Sequence, residues 1–245
     1  MTLSNIDRLW DWMTQRDDAM SSSAKSVFVV GLGRFGTSLA TSLVAMGVEV
    51  MAIDNNEVLV NEWADKLTHV RMANGTSAAT LTQLGAAAFD AAVVAIGTDL
   101  EASILTTAAL ADLGVNNIWA KAITTEHGRI LERVGAHHVV FPEKEMGQRV
   151  ARIVTGQVLD YFLLDEGFVL AEVKAPKTLL GQSLGDTGVR TNFSVTVVCV
   201  KPAGGNFTYA TAETVLGEGD LVLVAGSVQD TERFARFASA GDGKA

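Results

Sequence analysis

The hexapeptide Gly31-Leu32-Gly33-Arg34-Phe35-Gly36 has the residue types and spacing of a phosphate-binding turn. Gly31 permits a tight turn, Gly33 lets the backbone approach a phosphate, and Gly36 lets a helix pack close to a sheet. A helical pattern opens behind the turn, so its first amides and positive dipole end would face the anion. Asp54 stands roughly 20 residues past Gly33, where a carboxylate accepts from ribose hydroxyls and its charge disfavours a 2′-phosphate. This arrangement implies adenine-nucleotide binding; the alternative is a purely structural glycine turn.

Arg34 lies inside the turn, where a guanidinium could grip a terminal phosphate with two bonds. With ATP or ADP as ligand it would read phosphate number; otherwise it is a solvated arginine. A charge-assisted bond is worth about 1.5–3 kcal/mol, roughly a tenfold to hundredfold affinity difference. Lys121 closes a strand and would enter the same crevice mouth, or else be a plain surface lysine. Asn74-Gly75-Thr76 and Ala95-Ile96-Gly97-Thr98 follow the third and fourth strands, so their loops would wall the nucleotide.

A catalyst is harder to build. A short-chain dehydrogenase needs Tyr-x-x-x-Lys, yet Tyr161 is followed at that spacing by Asp165 and Tyr209 by Glu213. His69, His127, His137 and His138 join no nucleophilic or metal-ligand constellation and read as structural. The expectation is a binding protein with no catalytic residue. An NAD-dependent oxidoreductase is the rival reading.

The elements that must hold these residues alternate regularly. Val27–Val30, Glu49–Asp54, His69–Met72, Ala91–Ile96, Asn117–Lys121 and His138–Phe141 read as buried strands. Thr37–Met46, Val58–Lys66, Ser77–Leu84, Leu100–Leu113 and His127–Val134 read as helices, and Gly47, Gly85, Gly114 and Gly135 stop four of them. This alternation predicts an α/β fold, a Rossmann-type doubly wound parallel sheet over 25–142, with its crevice at the carboxyl ends of the strands. Residues 143–162 read as a crossover helix and linker, the helix packing on a second copy of the chain. Residues 163–240 read as a small α+β domain, with strands at Phe168–Lys174, Ser194–Lys201, Phe207–Tyr209 and Asp220–Ala225 and a closing helix at Thr231–Phe237. Residues 1–24 form an extension, either a frayed tail or a docking helix carrying Trp10.

Composition narrows the function classes. The 245 residues carry a formal charge of −9, which argues against a nucleic-acid partner. Cys199 is the single cysteine, so an internal disulfide or thiolate zinc cluster is excluded. Apolar runs fall short of the roughly 20 residues of a membrane span, and the start lacks a signal-peptide pattern. A cytoplasmic location without membrane insertion is expected.

These segments resemble the RCK/TrkA-type family (regulators of K⁺ conductance), in particular the cytosolic regulatory subunits of Ktr-type potassium uptake systems. The likeness rests on Gly31–Gly36, Ala52-Ile53-Asp54-Asn55-Asn56, Val93-Val94-Ala95-Ile96-Gly97, Ala102-Ser103-Ile104-Leu105, Ile118-Trp119-Ala120-Lys121-Ala122 and Phe141 through Gly147. Gly219 through Gly226 resembles the end of the family's C-terminal domain. The resemblance implies an octameric ring built from dimers, seated at the inner membrane face beneath an integral-membrane potassium-transporting subunit. ATP would favour conduction and ADP the inactive state, with NAD(H) as a further occupant. It implies that Arg34 meets the γ-phosphate, Asp54 the ribose and Asn56 the adenosine end, and that Lys121 sits near a neighbouring subunit's nucleotide. Leu32, Phe35, Asn55 and Ser103 join the nucleotide set through the matched segments. Glu143 matches a residue implicated in binding Mg²⁺, Na⁺ or Ca²⁺ between subunits; otherwise it is a helix N-terminal carboxylate. Arg190, in Gly188-Val189-Arg190, matches the arginine-bearing turn of a cyclic di-AMP site, although Thr191 through Ser194 depart from the expected aromatic-glycine pattern. The regulatory domain of another cation transporter is the second rival.

Overall fold

The computed structural model describes residues 24–155, 158–165 and 167–240. The expected N-terminal helix and linker, up to residue 23, lie outside the described residues. The chain divides into two compact units, Met1–Pro142 and Glu143–Ala245.

In the first unit β1 (Ser26–Val30) is the hub. Its apolar run leaves only Ser26 part-exposed, as a strand covered on both faces requires. Phe28 and Val30 point into one core with Ile53, Val94 and Ile118, while Val27 and Val29 join Val50, Ala52 and Val93 on the other face. That alternation is the two-residue period of the strand. The full sheet runs β3-β2-β1-β4-β5-β6, with β2 (Glu49–Asp54), β3 (His69–Met72), β4 (Ala91–Val94), β5 (Ile118–Lys121) and β6 (His138–Val140), every pair parallel. The helices are α1 (Arg34–Ala45), α2 (Glu57–Trp63), α3 (Ala78–Gln83), α4 (Leu100–Asp112) and α5 (Thr125–Arg133). This is the expected Rossmann-type sheet, and the strand order reverses between β1 and β4, where such folds open a crevice. Asp90 pins the start of the hub by accepting from the Lys25 and Ser26 amides at 2.8 and 2.9 Å. Those two amide bonds hold its carboxyl below the usual carboxylate range.

The second unit holds α6 (Pro142–Val154) and a five-stranded antiparallel sheet in the order β10-β9-β11-β8-β7. The strands are β7 (Asp160–Asp165), β8 (Phe168–Lys174), β9 (Thr196–Lys201), β10 (Thr208–Tyr209) and β11 (Leu221–Ser227). Short helices α7 (Leu184–Thr187) and α8 (Val189–Phe193) precede β9, and α9 (Val228–Ala240) closes the unit. Val169, Ala171 and Val173 of β8 alternate inward with Val222 and Val224 of β11 against Phe234 and Ala235 of α9. Three features differ from the sequence reading. The α6 helix ends at Val154, short of Leu159; β7 occupies ground read as linker; and α9 begins three residues earlier than Thr231. Acids at both ends of Asp160–Asp165 hide a strand in which only Tyr161 is buried.

Candidate functional site

A cleft of about 400 Å³ opens in the first unit where β1, β2 and β4 end, lined by Val30, Ile53, Ala95 and the loops that follow. That volume lies within the range of small-molecule sites. Among the residues singled out from the sequence, Gly31, Gly33, Asp54, Asn55, Asn56, Asn74, Gly75, Thr76, Ala95, Ile96 and Gly97 all line it. Leu32, Arg34, Phe35, Gly36, Ser103 and Lys121 do not.

The three glycines of the turn do different work. Gly31 has φ +103°, and a Cβ there would also meet the Ala95 carbonyl carbon at 3.2 Å. A Cβ on Gly36 would sit 1.9 Å from the Gly31 carbonyl oxygen, so α1 can lie this close to the turn only with glycine there. At Gly33 a Cβ would meet nothing within 4 Å, and the backbone is extended. That position faces open space in the cleft.

Gly33 is also the N-cap of α1 and offers no side-chain cap. By contrast, Asn56 accepts from the Val58 amide, Ser77 from Thr80, Asp99 from Ala102 and Thr124 from His127, capping α2 to α5. The α1 terminus therefore presents uncapped amides, as an anion requires. Asp54 holds the turn in place. One carboxylate oxygen accepts from the Leu32 amide at 2.7 Å and the other from the Asn56 amide at 2.8 Å. Asn74 closes its own loop by accepting from the Thr76 amide and hydroxyl.

The residues off the lining fall into two groups. Leu32 is core, contributing its amide to Asp54, and Gly36 and Ser103 are buried. Arg34 is exposed at the first position of α1, and Lys121 is buried with its ammonium nitrogen 2.9 Å from where a Gly97 Cβ would stand. The same ammonium lies 5.8 Å from the Phe35 ring centroid. Both cations thus flank the turn. Thr106 was missed by sequence reasoning. It lines the cleft from α4 with a fully buried hydroxyl that has no hydrogen-bond partner. A threonine inside a helical run gives no signal of this.

Two family profiles match the chain: the TrkA-N domain over residues 27–142 and the TrkA-C domain over residues 168–239. The Ktr system potassium uptake protein C of Bacillus subtilis is 40% identical over 213 residues, covering 86% of this chain and 96% of that protein.

The chain belongs to the TrkA family.

The Ktr system potassium uptake protein A of the same organism is 37% identical, with 86% and 95% coverage. Among solved structures, the GsuK channel bound to NAD superposes with a TM-score of 0.60 at 18% identity. That match covers 91% of this chain and 40% of the channel, and it shows a shared fold.

Within the TrkA-N part the histidines hold structure. The His137 ring accepts from the Ile118 amide at 3.0 Å, and His138 stacks on Trp119 at 4.1 Å. His127 is buried near the start of α5, and burial pushes its imidazole below the ordinary histidine value. Outside the TrkA-N part, Glu143 is an exposed carboxylate in the first turn of α6. Among the described residues no group of three or more His, Cys, Asp or Glu could hold a metal ion. Arg190 of the TrkA-C part is exposed on α8, beside Gly188 with φ +60°. No helix among the described residues is long and apolar enough to cross a membrane.

Proposed function

We propose that this TrkA-family chain is a regulatory subunit of potassium transport that senses adenine nucleotides and acts on a membrane partner. The kinship to Ktr uptake proteins supports the transport role. The observation that carries the sensing role is the uncapped α1 N-terminus at the cleft, beside a turn latched by Asp54.

In this reading the phosphates meet the α1 amides and the ribose meets Asp54, which has lone pairs beyond its two amide bonds. Arg34 then reaches the terminal phosphate, so ATP and ADP differ by a charge-assisted contact. That difference biases two arrangements of an octameric ring of dimers, and the ring works on the pore. Lys121 serves a neighbouring subunit's nucleotide. Glu143 takes part in an inter-subunit Mg²⁺, Na⁺ or Ca²⁺ site, and a carboxylate with so few acidic neighbours in its own chain needs that neighbour. Arg190 belongs to a cyclic di-AMP site of the C-terminal dimer. The subunit works in the cytoplasm, held at the inner membrane face by its partner. NAD(H) is the competing occupant, since a channel of the same fold carries NAD.

Calorimetric titration with ATP, ADP and NADH tests the reading. Arg34→Ala is expected to weaken ATP roughly tenfold to a hundredfold while leaving ADP nearly unchanged. Equal losses for both nucleotides would remove Arg34 as the reader of phosphate number. NADH turnover with a small carbonyl substrate would instead favour an oxidoreductase.

A further inference from the structure

A second cleft, of about 390 Å³, lies wholly within the second unit between α6, β7 and α9. Its walls are apolar at Ala151, Val158 and Ala235. Three polar groups converge on it without hydrogen-bond partners: the hydroxyls of Tyr161 and Thr231 and the Nε of Arg152. Tyr161 is 6% exposed and Thr231 1%, so nothing in bulk water compensates them. A buried hydroxyl left unpaired costs about 1–3 kcal/mol, which marks the cleft as built for an occupant.

We propose that this cleft binds a small monocarboxylate with an apolar body, its oxygens received by Tyr161, Thr231 and Arg152. The three groups can all donate, which asks for an oxygen-rich acceptor. Burial raises Tyr161 above the ordinary phenol value, so its hydroxyl keeps the proton it would donate. The Arg152 guanidinium lies 4.2 Å from the Tyr161 ring centroid and covers the floor. Its Nε stands 3.6 Å from a Glu232 carboxylate oxygen, beyond hydrogen-bond reach. Both side chains of that loose pair are about one-third exposed, so Glu232 can turn to solvent as an entering carboxylate replaces it. At about 30 Å³ per water-sized group, the space holds roughly a dozen non-hydrogen atoms.

The test uses the full chain with ¹³C-labelled tyrosine and sodium octanoate as probe. Tyr161 and Tyr209 are the two tyrosines, and Tyr209 is exposed on β10, a built-in control. Saturable movement of the Tyr161 ring signal with Tyr209 still, weakened at least tenfold by Ala151→Leu and by Thr231→Val, is the expected result. The neutral probe 1-octanol is expected to bind at least tenfold more weakly. Three outcomes overturn the proposal: no saturable change, equal binding of octanol, or a Tyr161 signal that follows protein concentration alone, which would seat a second copy there. Nucleotide titrations of the same variants are expected to match the parent chain.

Discussion

The first unit opens its cleft at the ends of parallel strands, and the second opens one of nearly the same volume between two helices and an edge strand. The first is made of turns: glycines, loop amides and short polar residues that mostly bond to one another. The second is made of side chains standing on regular elements, with their polar atoms unspent. Sensitivity to mutation should divide accordingly. The first cleft depends on where the backbone can go, and the second on what the side chains carry.

Gly36→Ala gives the sharpest contrast. The added methyl collides with the Gly31 carbonyl, and α1 must shift, costing about 3 kcal/mol or more. Thermal unfolding of the first unit is expected to fall by several degrees, with nucleotide binding lost. Gly33→Ala meets no protein atom, so stability is expected to stay within about 0.5 kcal/mol while nucleotide affinity drops. If both variants are equally stable, the packing account of the turn is wrong.

Asp54→Ala comes next. It removes two charge-assisted bonds from the turn, worth about 1.5–3 kcal/mol each, and calorimetry should register a loss of ADP affinity of at least tenfold. In the second unit, Arg149→Ala breaks a two-pronged pair with Asp160 at 2.8 and 2.9 Å. Both side chains keep solvent contact, so about 1 kcal/mol is expected, and hydrogen exchange should locate the change in α6 and β7. An effect of this variant on nucleotide affinity would dissolve the contrast between the units.

The smallest effect is a pH dependence in the first unit. Burial disfavours the charged His127, so the unfolded chain takes up that proton first. Its contribution is complete above about pH 6.5 and is lost as pH falls through that value toward the folded one. Melting curves between pH 8 and 5 should show this slope, flattened in His127→Asn.

The first unit's sheet was legible because β1, β2 and β4 are continuous apolar runs punctuated by glycines, and period alone assigns them. The loops were legible as places, since strand ends point to the crevice. What each loop residue does there was not. Asn56 and Asp99 end up as caps, and Asp54 as a latch on Leu32, because those partners depend on backbone positions no spacing encodes. The second unit was harder to read. Tyr161 is the one buried residue of β7, and its neighbours Phe162, Leu163 and Leu164 are exposed, so no two-residue alternation survives. The cleft beside it draws residues from three separated segments, and the sequence carries no motif for it.

The unequal demands on the three turn glycines bear on how such proteins age. Geometry alone compels Gly31 and Gly36, so both would persist in a descendant whose pocket had fallen silent. Gly33 answers only to whatever docks beside it. Drift at that single position, with its two companions intact, would be the fossil trace of an abandoned ligand.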